Sequence, residues 1–439
     1  MKEIKVGLLG FGTIGAGVVK LLRENRSIIE EKTGATVSLK SVADLDITRD
    51  RGVSTEGINL TTSADEVLND PEISVVIELM GGYEPARTFV LKALKNGKHV
   101  VTANKALLAV HGQEIFAAAK ESGVEVLFEA AVGGGIPVLS AIKGNLAANR
   151  FSTVLGIVNG TCNYILTRMT QEGADFADVL KKAQEKGYAE ANPTFDIEGV
   201  DTAHKLCLLL SLCFGTRIDL KDIHTEGITS VSSVDVEFAK SLGYRIKLLA
   251  IGKRDGERIE ARVHPTMIPQ DYPLADVHGV FNAIRLTGDF VGAVMFYGRG
   301  AGMDATASAV VGDVVDLSRN ILACISRRVA PLSYLDEKVV TLPIKPMGEI
   351  VSKYYIRFSA VDSPGVLARI AGALGDAGIS IASMVQTAKN GEGETETVPI
   401  VIVTHEAAEA QVQQALGQID AFDVIREKSC FIRIEDNLE

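Results

Sequence analysis

The residues best suited to chemistry crowd into one stretch, Gly187-Tyr-Ala-Glu190-Ala-Asn-Pro193-Thr-Phe-Asp196-Ile-Glu198-Gly-Val-Asp201-Thr-Ala-His204-Lys205. Asp201 and Lys205 are four apart at the start of an apolar run, so a helix would set them on one face. A carboxylate keeps a lysine charged and oriented, and a partly buried lysine can give or take a proton. Glu190 and Asp196 could hold an ammonium group. The same spacing also describes a capped helix with a surface ion pair, its commoner meaning. Several ionisable groups just ahead of an apolar helix favour the functional reading.

A second constellation opens the chain. Gly10-Phe11-Gly12-Thr13-Ile14-Gly15 leaves a buried strand and starts a helix. That context suits dinucleotide binding, because glycines let the backbone approach a pyrophosphate at the positive helix end. Asp44 follows the second strand, where a carboxylate could bond the ribose 2′-hydroxyl of NAD. Arg49 and Arg51 lie close enough in sequence to meet an NADP 2′-phosphate instead, and Asp44 could equally be a plain loop residue.

Three further segments carry candidates. Thr102-Ala-Asn104-Lys105 follows a parallel strand, whose carboxyl end would line a ligand crevice. There Lys105 could touch cofactor or substrate, or be a surface lysine. Glu129 and the backbone of Val132-Gly-Gly134-Gly-Ile136 could offer oxygens to a hard cation, although a hinge between domains explains such glycines as well. Cys162, at a helix start in Val158-Asn-Gly160-Thr-Cys162, is a rival nucleophile for thioester chemistry on an aldehyde. Most isolated cysteines are buried and inert.

These groups need a scaffold. Apolar strands at residues 4–9, 36–43, 73–79, 98–102 and 124–129 alternate with helical stretches, which predicts a parallel sheet covered on both faces. This first domain spans residues 1–131. Residues 132–302 read as a mixed α+β unit for catalysis and oligomerisation, with helices at 160–172, 176–186 and 201–214. A long helix at 303–327, opened by Gly298-Arg-Gly-Ala-Gly302, is expected to return and complete the first domain. Residues 328–349 hold Pro331, Pro343 and Pro346 and read as a linker. Residues 350–439 give a βαββαβ pattern, a ferredoxin-like domain, with the acidic run 392–396 in a loop.

Composition narrows the function classes. The 439 residues suggest about three domains. With 46% hydrophobic residues the chain can bury a core, which excludes disorder as its main state. The net charge is −11, with no Trp and 5% aromatics, so nucleic acid is a poor partner. Residues 350–439 hold seven basic and 13 acidic side chains, a sign of a separate C-terminal unit. Five cysteines without metal or disulfide spacing suit a reducing cytosol. The N-terminus lacks a signal-peptide pattern, and no apolar run reaches membrane-spanning length.

Taken together, the strings GFGTIGAGVV, TANKALLA, EAAVGGGIP, VNGTCNYILTRM, GYAEANPTFDIEGVDTAHK and YGRGAGMDATASAVVGD resemble homoserine dehydrogenase. They run in the family's order from residue 10 to 313. Val361-Asp-Ser-Pro364-Gly-Val-Leu-Ala-Arg-Ile is similar to the first βα turn of an ACT domain. The chain is too short for the fused aspartate kinase of bifunctional relatives.

The resemblance implies NAD- or NADP-dependent interconversion of L-homoserine and L-aspartate 4-semialdehyde, a step toward threonine, methionine and isoleucine. It implies Lys205 as proton donor and Lys105 as a second essential lysine. Glu190 would bind the substrate amino group, supported by Asp196 and Asp201. The cofactor would rest on Gly10, Phe11, Gly12, Thr13, Ile14 and Gly15, with Asp44 at its ribose. Thr102 and Lys105 would lie near the nicotinamide, and Gly302 on the far side. A sodium site would use Glu129 and the carbonyls of Val132, Gly134 and Ile136. The ACT domain implies an amino-acid effector, expected to be L-threonine, and a homodimer or homotetramer. Nucleic acid and membrane are not expected partners.

Overall fold

The computed structural model describes residues 2–386 and 397–436. Its first unit contains β1 (Lys2–Leu9), α1 (Thr13–Glu24), α2 (Arg26–Thr33), β2 (Ala35–Ala43), β3 (Asn59–Thr61), α3 (Ala64–Leu68), β4 (Ile73–Glu78), α4 (Ala86–Lys95), β5 (His99–Thr102), α5 (Lys105–Glu121) and β6 (Val126–Leu127). The six strands form one parallel sheet in the order β3-β2-β1-β4-β5-β6. Val6, Leu8, Val75 and Ile77 are almost fully buried, as apolar strands covered on both faces require. One boundary differs clearly from the sequence reading. The last strand is only Val126–Leu127, because Glu129–Ala131 turns into a short 3₁₀ segment. Helix α5 begins at Lys105 itself, with Asn104 capping it through a bond from the Leu107 N–H.

The middle unit follows with α6 (Val138–Lys143), β7 (Phe151–Ile157), α7 (Gly160–Glu172), α8 (Phe176–Glu185), α9 (Thr194–Ile197), α10 (Val200–Phe214), β8 (His224–Thr225), α11 (Ser233–Ser241), β9 (Tyr244–Asp255), β10 (Arg258–Pro269), β11 (Phe281–Gly288) and β12 (Gly292–Arg299). Helix α10 is buried on every side from Asp201 to Phe214. A helix apolar all round belongs at the centre of a domain, and α10 packs between α5 and the β7 and β9 strands.

Helix α12 (Met303–Leu322) then crosses back to pack along α1. Ala307, Val310, Val311, Val314 and Leu317 join the same core as Val6, Leu8 and Val18. The helix stops five residues short of the sequence expectation. Cys324 and Arg327 take positive φ values of 54° and 56°, a backbone that cannot continue a right-handed helix. Residues 328–349 are a packed strap. Val340 exchanges backbone bonds with Gly215 and Arg217, Lys345 bonds Ile259, and the Tyr334 hydroxyl donates to the Cys213 carbonyl at 3.1 Å.

The last unit has β13 (Val351–Val361), α13 (Val366–Asp376), β14 (Ile381–Gln386), β15 (Thr397–Thr404), β16 (Ala407–Ala408), α14 (Glu409–Ile419) and β17 (Cys430–Ile434). Its strand order β17-β13-β15-β14 is ferredoxin-like, with α13 and α14 covering one face. The expected loop around residues 392–396 lies outside the described residues. This unit is less separate than its charge suggested. β17 pairs in parallel with β10, Arg433 opposite Thr266, so one eleven-stranded sheet runs through both units.

Candidate active site

Each of the three glycines in the first turn has its own steric reason. Gly10 has φ +95°, and a Cβ there would meet the Leu79 carbonyl oxygen at 2.7 Å. A Cβ on Gly15 would collide with the Gly10 carbonyl oxygen, so the bare glycine lets the helix start press against the turn. A Cβ on Gly12 would meet nothing within 4 Å, so the space above it is open. Thr13 and Ile14 begin α1 behind that opening. An open approach to bare backbone at a helix N-terminus fits a pyrophosphate.

Asp44, just past β2, accepts the Phe11 N–H at 2.5 Å and the Asp46 N–H at 2.9 Å. Arg51 stands 3.6 Å from it and above the Phe11 ring. β1 and β4 are where the strand order reverses, the usual crevice of such a sheet. Thr102 ends β5 there, fully buried, and its hydroxyl donates to Glu78 at 2.6 Å. Gly302 caps α12 with φ +116°, and α12 packs along α1.

The catalytic candidates meet where α5 faces α10. Lys205 Nζ donates to Asp201 Oδ2 at 2.7 Å and to the Val158 carbonyl at 2.7 Å. Lys105 Nζ approaches the other oxygen, Asp201 Oδ1, at 3.1 Å. The Asp201 and Lys205 side chains are 5% and 10% exposed, so this is not the surface pair that the spacing most often means. Lys105 is 33% exposed and opens the cluster to the crevice. Burial opposes ionisation of Asp201, but the Lys205 and Lys105 charges outweigh it and hold the carboxyl well below the usual range.

Asn159 ties the neighbours in. Its side-chain oxygen caps α7 through the Cys162 N–H, and its amide donates to Asp196 at 2.7 Å and to Asp201 at 2.9 Å. Burial and the Asp201 charge push the Asp196 carboxyl up. Thr161 reaches Asp196 at 3.3 Å and the Tyr188 carbonyl at 2.7 Å, which fastens the 186–193 loop to the cluster. Glu190 lies exposed on that loop. Its carboxylate makes no hydrogen bond or ion pair among the described residues. His204, between Asp201 and Lys205, is buried and stacks on Phe195 with ring centroids 5.3 Å apart.

The thioester rival fails here. Cys162 is fully buried, and its Sγ contacts the Asp196 carbonyl at 3.2 Å. Burial, reinforced by the Asp196 and Asp201 charges, pushes its thiol well above the ordinary value, the reverse of what a nucleophile needs.

Glu129 accepts the Leu139 and Ser140 N–H groups, one on each oxygen, and burial raises its carboxyl. The Ile136 carbonyl accepts the Val138 N–H, while those of Val132 and Gly134 accept nothing from the described residues. This all-oxygen set suits a hard monovalent cation in donor type. Among the described residues no group of three His, Cys, Asp or Glu gathers as a metal site, and no helix is long and apolar enough to cross a membrane.

Two residues of the site were not singled out from sequence. Asn159 stood in the string quoted for Cys162, and Glu78 ends β4 directly opposite Thr102. A carboxylate closing an apolar strand before Gly81-Gly82 was the available signal.

Comparison with known proteins decides the family. The homoserine dehydrogenase profile matches residues 137–315, and the homoserine dehydrogenase NAD-binding domain matches residues 10–129. An ACT domain matches residues 354–422. A homoserine dehydrogenase of Pseudomonas aeruginosa is 45% identical over 435 residues, 99% of each chain. The chain belongs to the homoserine dehydrogenase family. It is an NAD(P)-dependent oxidoreductase of amino-acid biosynthesis with a C-terminal ACT domain. The crystal structure of a homoserine dehydrogenase from Thiobacillus denitrificans superposes with a TM-score of 0.93 at 47% identity, covering 99% of both chains. A hyperthermophilic archaeal homoserine dehydrogenase in complex with NADPH covers 72% of this chain and 97% of its own, at 25% identity and a TM-score of 0.62.

Proposed function

We propose that Lys205, Lys105 and Asp201 carry the interconversion of L-homoserine and L-aspartate 4-semialdehyde, with Lys205 giving the proton to the carbonyl oxygen in the reducing direction. The observation that carries this reading is one buried carboxylate shared by two ammonium groups. A bound nicotinamide supplies the hydride. As charge grows on the aldehyde oxygen, a fixed ammonium within reach stabilises it and supplies the proton. Asp201 holds both lysines oriented, and Asn159 fixes Asp201. The substrate ammonium group is assigned to Glu190 and Asp196, because the loop bearing Glu190 is tied to Asp196 through Thr161.

The cofactor is assigned to residues 10–15, with Thr102 and Lys105 toward the nicotinamide and Gly302 opposite. Its adenosine end would meet Asp44, suited to a ribose hydroxyl, and Arg51, suited to a 2′-phosphate. Parallel titrations with NAD and NADP decide between them. Sodium at Glu129 and the carbonyls of Val132, Gly134 and Ile136 is supported by the oxygen donor set.

L-Threonine is the proposed effector of the ACT domain, tested by its effect on homoserine oxidation by the full chain. Deleting residues 350–439 is not a clean test, since it strips β17 from β10. A homodimer or homotetramer is supported by the exposed Met295 and Tyr297 on the outermost strand β12 and by Met384 on β14. Light scattering reads that mass directly. A cytoplasmic setting accords with five free cysteines.

The central test is Lys205→Ala. The expected kcat loss is about 1,000-fold, with NADPH still bound by fluorescence. A near-wild-type rate would overturn the assignment.

A further inference from the structure

A cleft of about 560 Å³ lies between β6, α5, α6 and α12, away from the Lys105–Asp201–Lys205 cluster. Its apolar floor includes Phe116, Val126, Phe128 and Pro331. Along α12 it is lined by Ser308, Gly312, Asp313 and Asp316, spaced to share one helical stripe.

Three observations describe what this cleft lacks. Glu125 gives its carbonyl to the Val100 N–H at 2.9 Å, and Val126 stands opposite Val100 in the parallel ladder. In such a ladder the N–H and C=O of Val126 must then point away from β5, to the free edge. Val126 is 1% exposed, and no described residue satisfies those two groups. Buried backbone groups of this kind need a partner. Lys143 also lines the cleft. Its ammonium hydrogen-bonds no described residue and sits 4.3 Å from the centroid of the Phe128 ring. Asp313 spends one oxygen on the Glu129 N–H, and Asp316 is only loosely paired with Arg328 at 3.5 Å.

Both charge signs are therefore present. A purely anionic ligand would face Glu125, Glu129, Asp313 and Asp316, and a purely cationic one would sit against Lys143, whose charge those carboxyls answer only at a distance. We propose that this cleft is a second ligand site, for a zwitterionic α-amino acid with an apolar side chain. Lys143 takes the ligand carboxylate, Asp313 and Asp316 take its ammonium group, and Phe116 and Phe128 take its side chain. The volume is within the range of small-molecule pockets.

The test is calorimetric titration of the full chain with L-leucine, L-methionine and L-phenylalanine in turn. Gly312→Leu is the decisive variant, because a Cβ there meets nothing within 4 Å and the side chain projects into open space. Lys143→Gln removes the charge with little change in shape. Binding of at least one amino acid is expected, weakened about 10-fold or more in each variant, with kcat/KM for homoserine unchanged. Should Gly312→Leu fail to fold, Lys143→Gln alone gives the answer. The proposal is overturned if none of the three binds, or if the folded variants bind like the wild type, which would place the ligand on the ACT domain.

Discussion

Arg433 holds Glu226 through two parallel hydrogen bonds, each 2.8 Å, from a guanidinium on β17 to a carboxylate just past β8. The same guanidinium also clasps Glu409 with bonds of 2.9 and 2.6 Å, and both of those side chains are almost fully buried. Arg433→Met would leave Glu409 buried without its counter-charge. The expected loss is about 3–5 kcal/mol. Calorimetry is expected to show one melting transition for the wild type and, in the variant, the ACT domain melting apart from the rest.

This junction also predicts the response to acid. Glu226, Asp235, Glu409 and Glu435 are all held below the usual carboxylate range. Burial opposes this in each case, and their hydrogen-bonded partners outweigh it, His224 and Arg433 for Glu226 and arginine or lysine for the others. A depressed folded value adds stability above the unfolded carboxylate value of about 4, and that stability is lost as pH falls through the folded values. Urea unfolding should lose more than about 1.4 kcal/mol per pH unit below pH 4, the slope for a single proton. A flat profile there would show that the buried pairs do not govern acid stability.

Asn159→Asp keeps the shape and replaces a shared donor by a third carboxylate. Like charges raise one another's pKa, so the acid limb of the pH–rate profile should move upward. The kcat should fall by about 100-fold, the scale for losing one positioned donor. An unmoved profile with an intact fold would sever Asn159 from the catalytic cluster.

Two glycines of one turn should fail in different ways. Gly12→Val meets open space at φ −71°, so the fold should stand while NADPH binding weakens about 100-fold. Gly15→Ala drives a methyl against the Gly10 carbonyl, and about 1–3 kcal/mol of stability should go first. Thermal melts with and without NADPH separate the two.

Much of the nucleotide-binding unit was legible because its strands are continuous apolar runs and its turn is marked by glycine. The joining of Asp201 and Lys205 followed from helical spacing alone. The approach of Lys105 did not, because it depends on how α5 packs on α10, which no local pattern encodes. The strands β7 and β11 were missed since their residues do not alternate strictly. They are covered on one face by α7 and α10 and on the other by Leu274, Ala275 and Val277, which erases the period of two. The continuous sheet through β10 and β17 was hidden for a similar reason. A cluster of acidic residues suggested a detached unit, yet several of those carboxylates, Glu409 and Glu435 among them, are ion-pair partners at its seam.

Helix α12 has a further consequence for how the chain is made. Its valines complete the core under β1, yet they arrive some 180 residues after the last strand of that sheet. On the ribosome the nucleotide-binding unit must wait, with an open apolar flank, until residue 322 has left the exit tunnel. Synthesis at about 5–20 residues per second makes that wait tens of seconds at the slow end of the range. The middle unit can gather its own core in that interval, so its folding is expected to precede closure of the unit that comes before it in sequence.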